Sequence, residues 1–220
     1  MTTPATPAAV TRALARVLAW EPDLAPDDRY VPLAEVDLEA LARAVARRMG
    51  DPPLRVGWST AVMGIASRLW SLTVVPYVVD GVLPDPATIL LRHDEGAVTL
   101  GVREPRGWVQ ASVDDLERAV HEVVDPLVAA TPLSPRLLWG NVAGSLATVP
   151  RVHVLPRARP VVAHLLDGPG LAGEVVVRPD GSTRRGTCCL FWQVPGAGLC
   201  GDCVLDTVPT RRPTRGGRAC

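Results

Sequence analysis

The chain contains no lysine: all 23 of its basic residues are arginine, and 23 aspartates and glutamates bring the formal net charge to zero. No global field therefore draws it to nucleic acid or to a membrane surface, and no nucleic-acid partner is expected. Met1 to Val10 lacks the basic and long apolar regions of a secretory leader. The most apolar stretch, Leu69 to Val79, is interrupted by Pro76 and is far shorter than the ~20 residues that cross a bilayer. These absences lead us to expect a cytoplasmic protein without a transmembrane segment. No cysteine stands before position 188. In a reducing compartment, cysteines that cluster late in a chain bind metal or do redox work more often than they staple a fold. There is no internal repeat.

What is present is a globular balance, 47% apolar and 21% charged, long enough for one sizeable domain with a small appendage. With 22 prolines, helices should be short and joined by stiff loops. Ala8 to Trp20 sets Val10, Leu14, Val17 and Leu18 on one helical face. Asp37 is placed to cap a second helix whose Leu38, Leu41, Ala42, Val45 and Met49 face inward. Ser59 to Leu72 reads as a third, apolar nearly all round and so buried. Ala87 to Leu91 and Ala97 to Val102 flank His93-Asp94-Glu95-Gly96 as a hairpin. Ser112 with Asp115 forms a capping box for a helix to about Ala129. Ser134-Pro135 opens another, carrying Trp139, Asn141 and Val142, and Pro160 to Leu166 forms a short one. Glu174 to Val177 and Thr187 to Val194 read as strands joined through Pro179-Asp180-Gly181, followed by a loose tail. The fold class is α+β: a mostly helical body with a β-hairpin over residues 1–183, then a small cysteine-rich hairpin module over 184–220. Charge divides along the same line. The body holds 17 arginines against 21 acids and the last segment 6 against 2, so the cysteines lie in the basic part.

Those cysteines follow the pattern C-C-x10-C-x2-C: Cys188, Cys189, Cys200 and Cys203. Four thiolates complete the protein ligand set of a [2Fe–2S] centre, and they also satisfy tetrahedral zinc. Cys200 and Cys203 can reach one metal across a tight turn eased by Gly201, and Pro195-Gly196-Ala197-Gly198 can fold the chain back on the first pair. Cys188 and Cys189 are adjacent, so on a regular strand they point to opposite faces and can share a centre only if the backbone bends there. Zinc ribbons avoid this by pairing two C-x2-C knuckles, whereas a wider binuclear centre tolerates it. Two other readings are weaker. Cys200-Gly-Asp-Cys203 resembles a thioredoxin-type pair, but Pro209 and Pro213 leave little room for the helix that such chemistry needs. Gly196-Ala-Gly198-Leu-Cys-Gly201 fits the dinucleotide fingerprint in spelling only, because the chain ends before a long helix and an acidic partner can follow. Cys220 reads as a free terminal thiol.

The cysteine pattern, the preceding Arg184-Arg185-Gly-Thr and the upstream Ser134-Pro-Arg-Leu-Leu-Trp139-Gly-Asn141-Val-Ala together resemble the FhuF-like ferric-siderophore reductases over residues from about 55 to 205. The resemblance implies that Cys188, Cys189, Cys200 and Cys203 ligate a [2Fe–2S] cluster. It also implies cytoplasmic reduction of an Fe(III)-siderophore, releasing Fe(II). No flavin or nicotinamide site is evident, so the electron donor would be external. Arg184 and Arg185 are candidates for docking an anionic chelate or tuning the cluster, or else lie in a solvated turn. Trp139, Asn141 and Arg136 could line a chelate pocket, although helix packing with a satisfied Asn is the better expectation. His93, His121, His153 and His164 show no ligand spacing and are taken as structural. The alternatives are a zinc-stapled module and a siderophore-binding module without redox turnover.

Overall fold

The computed structural model describes residues 2–209 and has the α+β architecture. Its axis is α3, Leu54–Asp80, which packs against α1 (Pro7–Leu14), α2 (Leu38–Arg48), α4 (Val113–Ala130) and α5 (Pro135–Val152). Short α6, Arg159–Leu166, closes over α5 and α4. The local start signals behave as expected. The Asp37 side chain accepts the Ala40 N–H at 2.9 Å, and Ser112 and Asp115 form both halves of a capping box.

Three small antiparallel sheets surround the helices. The hairpin pairs β4, Ile89–Asp94, with β5, Ala97–Val102, and its two-residue turn places both Glu95 and Gly96 at positive φ. Strand β2, Val31–Pro32, adds to β4. A second sheet has the order β1 (Thr3–Pro4), β6 (Gly107–Val109), β3 (Val82–Pro84). The third joins β7, Val175–Val177, to β8, Thr183–Arg185.

Four expectations are corrected. First, proline does not keep the helices short. α3 runs 27 residues through Pro76, and α4 and α5 run 18 each through Pro126 and Pro150. Each proline removes one N–H···O bond and crowds the carbonyl four residues back, and apolar packing of the helix offsets the ~3 kcal/mol that this costs. Second, α3 is by length and composition long enough to cross a membrane, contrary to the reading of Leu69 to Val79; 61% of its apolar window is buried within the fold, as in a core helix. Third, α1 ends at Leu14, so Val10, Leu14 and Val17 are buried while Leu18 turns out to 85% exposure. Fourth, residues 187–194 are not a strand, since β8 ends at Arg185. The expected tail lies largely outside the described residues, as does Cys220.

Candidate metal centre

The cysteine segment is seated on α5 at two glycines one turn apart. A Cβ on Gly140 would come within 1.9 Å of Thr187 Oγ1, and one on Gly144 within 2.7 Å of Arg185 Nε. Only glycine lets the segment lie this close to the helix. From β8 the backbone crosses to the second half of the segment, the Arg185 N–H donating to the Asp202 carbonyl at 2.9 Å. The required bend after Arg185 is present. Gly186 to Cys189 leaves the ladder, and Leu190 takes left-handed backbone with φ 69° before a single 3₁₀ turn over Phe191–Gln193. The adjacent cysteines are thereby freed from strand alternation.

At the far end of the loop the chain closes on itself. The Cys203 N–H donates to the Cys200 carbonyl at 3.2 Å, which is the expected tight turn. Cys189 Sγ and Cys200 Sγ lie 3.3 Å apart and share a hydrogen bond, joining one member of each pair. Cys188 and Cys189 are 2% exposed, and Cys200 and Cys203 are half-buried. The backbone N–H of Leu190 points to Cys188 Sγ at 3.3 Å and that of Leu205 to Cys203 Sγ at 3.4 Å. The hydrogen bond shared with Cys200, helped by Arg185, lowers the Cys189 thiol to about 6 against the opposing effect of burial. The same shared proton, together with burial, pushes Cys200 up. The thiolate of Cys189 is thus favoured beside a Cys200 that keeps its proton.

Arg185 is the brace of this arrangement. It is 7% exposed, binds Asp202 Oδ2 through Nε at 2.5 Å, and donates from Nη1 to Asn141 Oδ1 at 2.7 Å. Burial opposes its charge, but the Asp202 carboxylate and the Cys189 and Cys200 sulfurs outweigh that and hold it firmly protonated. Asn141 passes the network on, donating from Nδ2 to Ser59 Oγ at 2.8 Å, and Ser59 Oγ donates to the Cys189 carbonyl at 2.7 Å. A closed circuit of side chains therefore ties α3 and α5 to both halves of the segment.

The candidates of the sequence divide accordingly. Arg185 is neither solvated nor free to dock a ligand, and Arg184 is engaged with the Val204 carbonyl and Asp206 Oδ1, both at 2.9 Å. Asn141 is a buried, satisfied helix residue that also orients Arg185. Trp139 stacks on His121 with ring centroids 5.0 Å apart, and Arg136 pairs with Glu174. His121, His153 and His164 bond Asp125, Ser71 and Asp114 respectively. Sequence reading missed Ser59 and the Gly140/Gly144 seat; the small residues four apart in Trp-Gly-Asn-Val-Ala-Gly were the available signal.

Among the described residues no group of three or more Cys, His, Asp or Glu side chains is placed to hold a metal ion. The Cys189–Cys200 contact brings one sulfur of each pair together, and the two N–H···S contacts and the buried cation are surroundings of the kind that set the potential of an iron–sulfur centre. Trp192 also keeps its indole N–H buried without a protein partner, leaving a donor in the segment unassigned. Residues 185–205 match the family model described as the FhuF 2Fe-2S C-terminal domain, and all four cysteines fall inside the match. No curated protein and no solved structure matches the chain.

Proposed function

From a C-terminal segment of the FhuF 2Fe–2S kind, which carries a [2Fe–2S] cluster, we propose that this chain is a cytoplasmic oxidoreductase that reduces an Fe(III)-siderophore. Cys188, Cys189, Cys200 and Cys203 are the ligands in this reading, and residues 1–183 form the body that presents the 184–220 segment. The observation that carries it is the contact of Cys189 with Cys200 within a matched segment braced by a buried arginine. When bound, the cluster supplies electrons one at a time.

The protein's own contribution is positioning and electrostatics. Arg185 offsets the negative charge of the thiolates in a poorly solvated place. Asn141 and Ser59 hold the first cysteine pair against the helices. The half-buried second pair leaves an edge near the surface for electron exchange. Siderophore oxygens are hard ligands matched to Fe(III), and one added electron yields a larger, less acidic Fe(II) that they hold weakly. No bond of the chelator need break. The reductant is a one-electron donor external to this chain.

The test is a visible and EPR spectrum followed by turnover. Protein purified in air should be reddish-brown, bleach with dithionite, and on mixing with a ferric siderophore regain colour while a ferrous chelator traps Fe(II). Colourless protein with one zinc per chain would refute the cluster. Reoxidation without trapped Fe(II) would refute the reductase and leave the alternative, a siderophore-binding module.

A further inference from the structure

A cleft of about 620 Å³ opens where α3 and α5 meet the cysteine segment, and Gly201 and Asp202, between the last two cysteines, form part of its wall. Its volume falls in the range of small-molecule sites. Arg68 on α3 also lines it, with its guanidinium 4.4 Å from the centroid of the Trp20 ring. Trp20 is 45% exposed and its backbone is left-handed with φ 64°, a conformation that a bulky residue keeps only when its surroundings hold it there.

The charges around this cleft do not balance locally. Arg68 donates only to the Gly64 carbonyl of its own helix and makes no ion pair among the described residues, although burial lowers its affinity for the proton. Arg151, on the last turn of α5, is exposed at the rim and likewise forms no ion pair among the described residues. The carboxylates of the cleft are already engaged: Asp202 by Arg185, and Asp180 by the backbone N–H of Ser182 and the nearby positive charge of Arg178. Two cations beside a presented indole are thus left for an incoming group that is both anionic and flat.

We propose that this cleft seats the ferric chelate against the Cys200–Cys203 turn, and that Arg68, Arg151 and Trp20 select anionic, aryl-bearing chelates of the catecholate class over neutral trihydroxamates. Calling the ligand a ferric chelate rests on the reductase reading. The binding site does not, because gallium(III) chelates share the charge and shape and cannot be reduced.

The experiment is calorimetric titration of the cluster-loaded protein with the gallium(III) complex of a hexadentate tris-catecholate and, separately, of a trihydroxamate. The tris-catecholate should bind, more weakly as salt rises. Arg68→Gln should lose about tenfold or more in affinity, as expected for removal of a charged contact. Arg151→Gln and Trp20→Ala should lose several-fold, and Arg157→Gln, outside the cleft, should bind as the parent does. The proposal is overturned if Arg68→Gln and Arg151→Gln bind like the parent, or if the trihydroxamate binds as tightly and is indifferent to both. Should Arg68→Gln fail to hold its fold, the exposed Arg151→Gln and the charge-retaining Arg68→Lys still decide the matter. Binding that depends on these arginines without Fe(II) release from the ferric complex would remove the reductase and keep the site. Fe(II) release untouched by the arginines would do the reverse.

Discussion

The α3–α5 pair and the cysteine segment resting on it are held by opposite means. The helices are buried through Leu69, Trp70, Leu138, Val142 and Leu146, spreading stability over many non-directional contacts. The segment has one short two-stranded ladder, a glycine seat and a circuit of four polar side chains, Arg185, Asp202, Asn141 and Ser59. A core of the first kind tolerates the loss of any one small contact, whereas a mount of the second kind depends on each member. The comparison teaches where the function is vulnerable: the body can survive damage that empties the cysteine site, but the site cannot survive loss of the body.

The largest effect should come from breaking the side that supports both. Trp70 is 1% exposed and its indole N–H donates to the Val142 carbonyl at 3.1 Å, bridging α3 to α5. Trp70→Ala should cost about 3–5 kcal/mol, a large share of the ~5–15 kcal/mol that keeps a typical domain folded. Far-UV circular dichroism and cluster absorption should then be lost together on mild urea titration. A Trp70→Ala protein that loses the parent's helical transition but keeps its visible bands would contradict the dependence of the site on the body.

The next effect should separate the two regions. Arg185→Met leaves Asp202, whose side chain is 11% exposed, without its partner, and Asn141 Oδ1 without its donor. Breaking a buried pair in this way costs about 3–5 kcal/mol, borne here mainly by the segment. The helical transition should stay near that of the parent while cluster absorption decays faster in air and iron content falls. Asp202→Asn, which keeps a hydrogen-bond acceptor, should be milder. Parent-like retention of iron in Arg185→Met would remove the brace from the account.

What was legible in the sequence follows from the same contrast. The Asp37 cap, the Ser112/Asp115 box and the Glu95-Gly96 turn are local, because the chemistry that makes them lies within a few residues. The spacing of the four cysteines and their place in a basic segment are local too. The extension of α3 through Pro76 was hidden because tertiary burial decides it. Arg185 read as a surface residue since nothing in Thr-Arg-Arg-Gly announces that Gly144 and Asn141, from another part of the chain, will enclose one of the two arginines. The Trp20–Arg68 wall was invisible for the same reason: a loop after α1 and the middle of α3 meet only in the folded chain.

The smallest effect sharpens the comparison from the side of the helices. His153 follows the last turn of α5, and its Nε2 lies 2.8 Å from Ser71 Oγ on α3. Partial burial lowers its pKa below the ordinary value of 6.5, so the fold favours the neutral ring. The unfolded chain takes up the proton first as pH falls, so stability from the neutral ring is fully present above 6.5 and is lost as pH drops through that value toward the lower folded pKa. Urea midpoints followed by circular dichroism should fall between pH 8 and pH 5, and His153→Gln should fall by less, the difference between the two proteins isolating this residue from the carboxylates. Because His153 belongs to the helix pair and touches none of the cysteines, that difference should appear in the helical transition. If the two proteins lose stability in parallel, the imidazole is as well solvated in the folded chain as in the unfolded one, and the α3–α5 contact at this end is looser than the Ser71 distance implies.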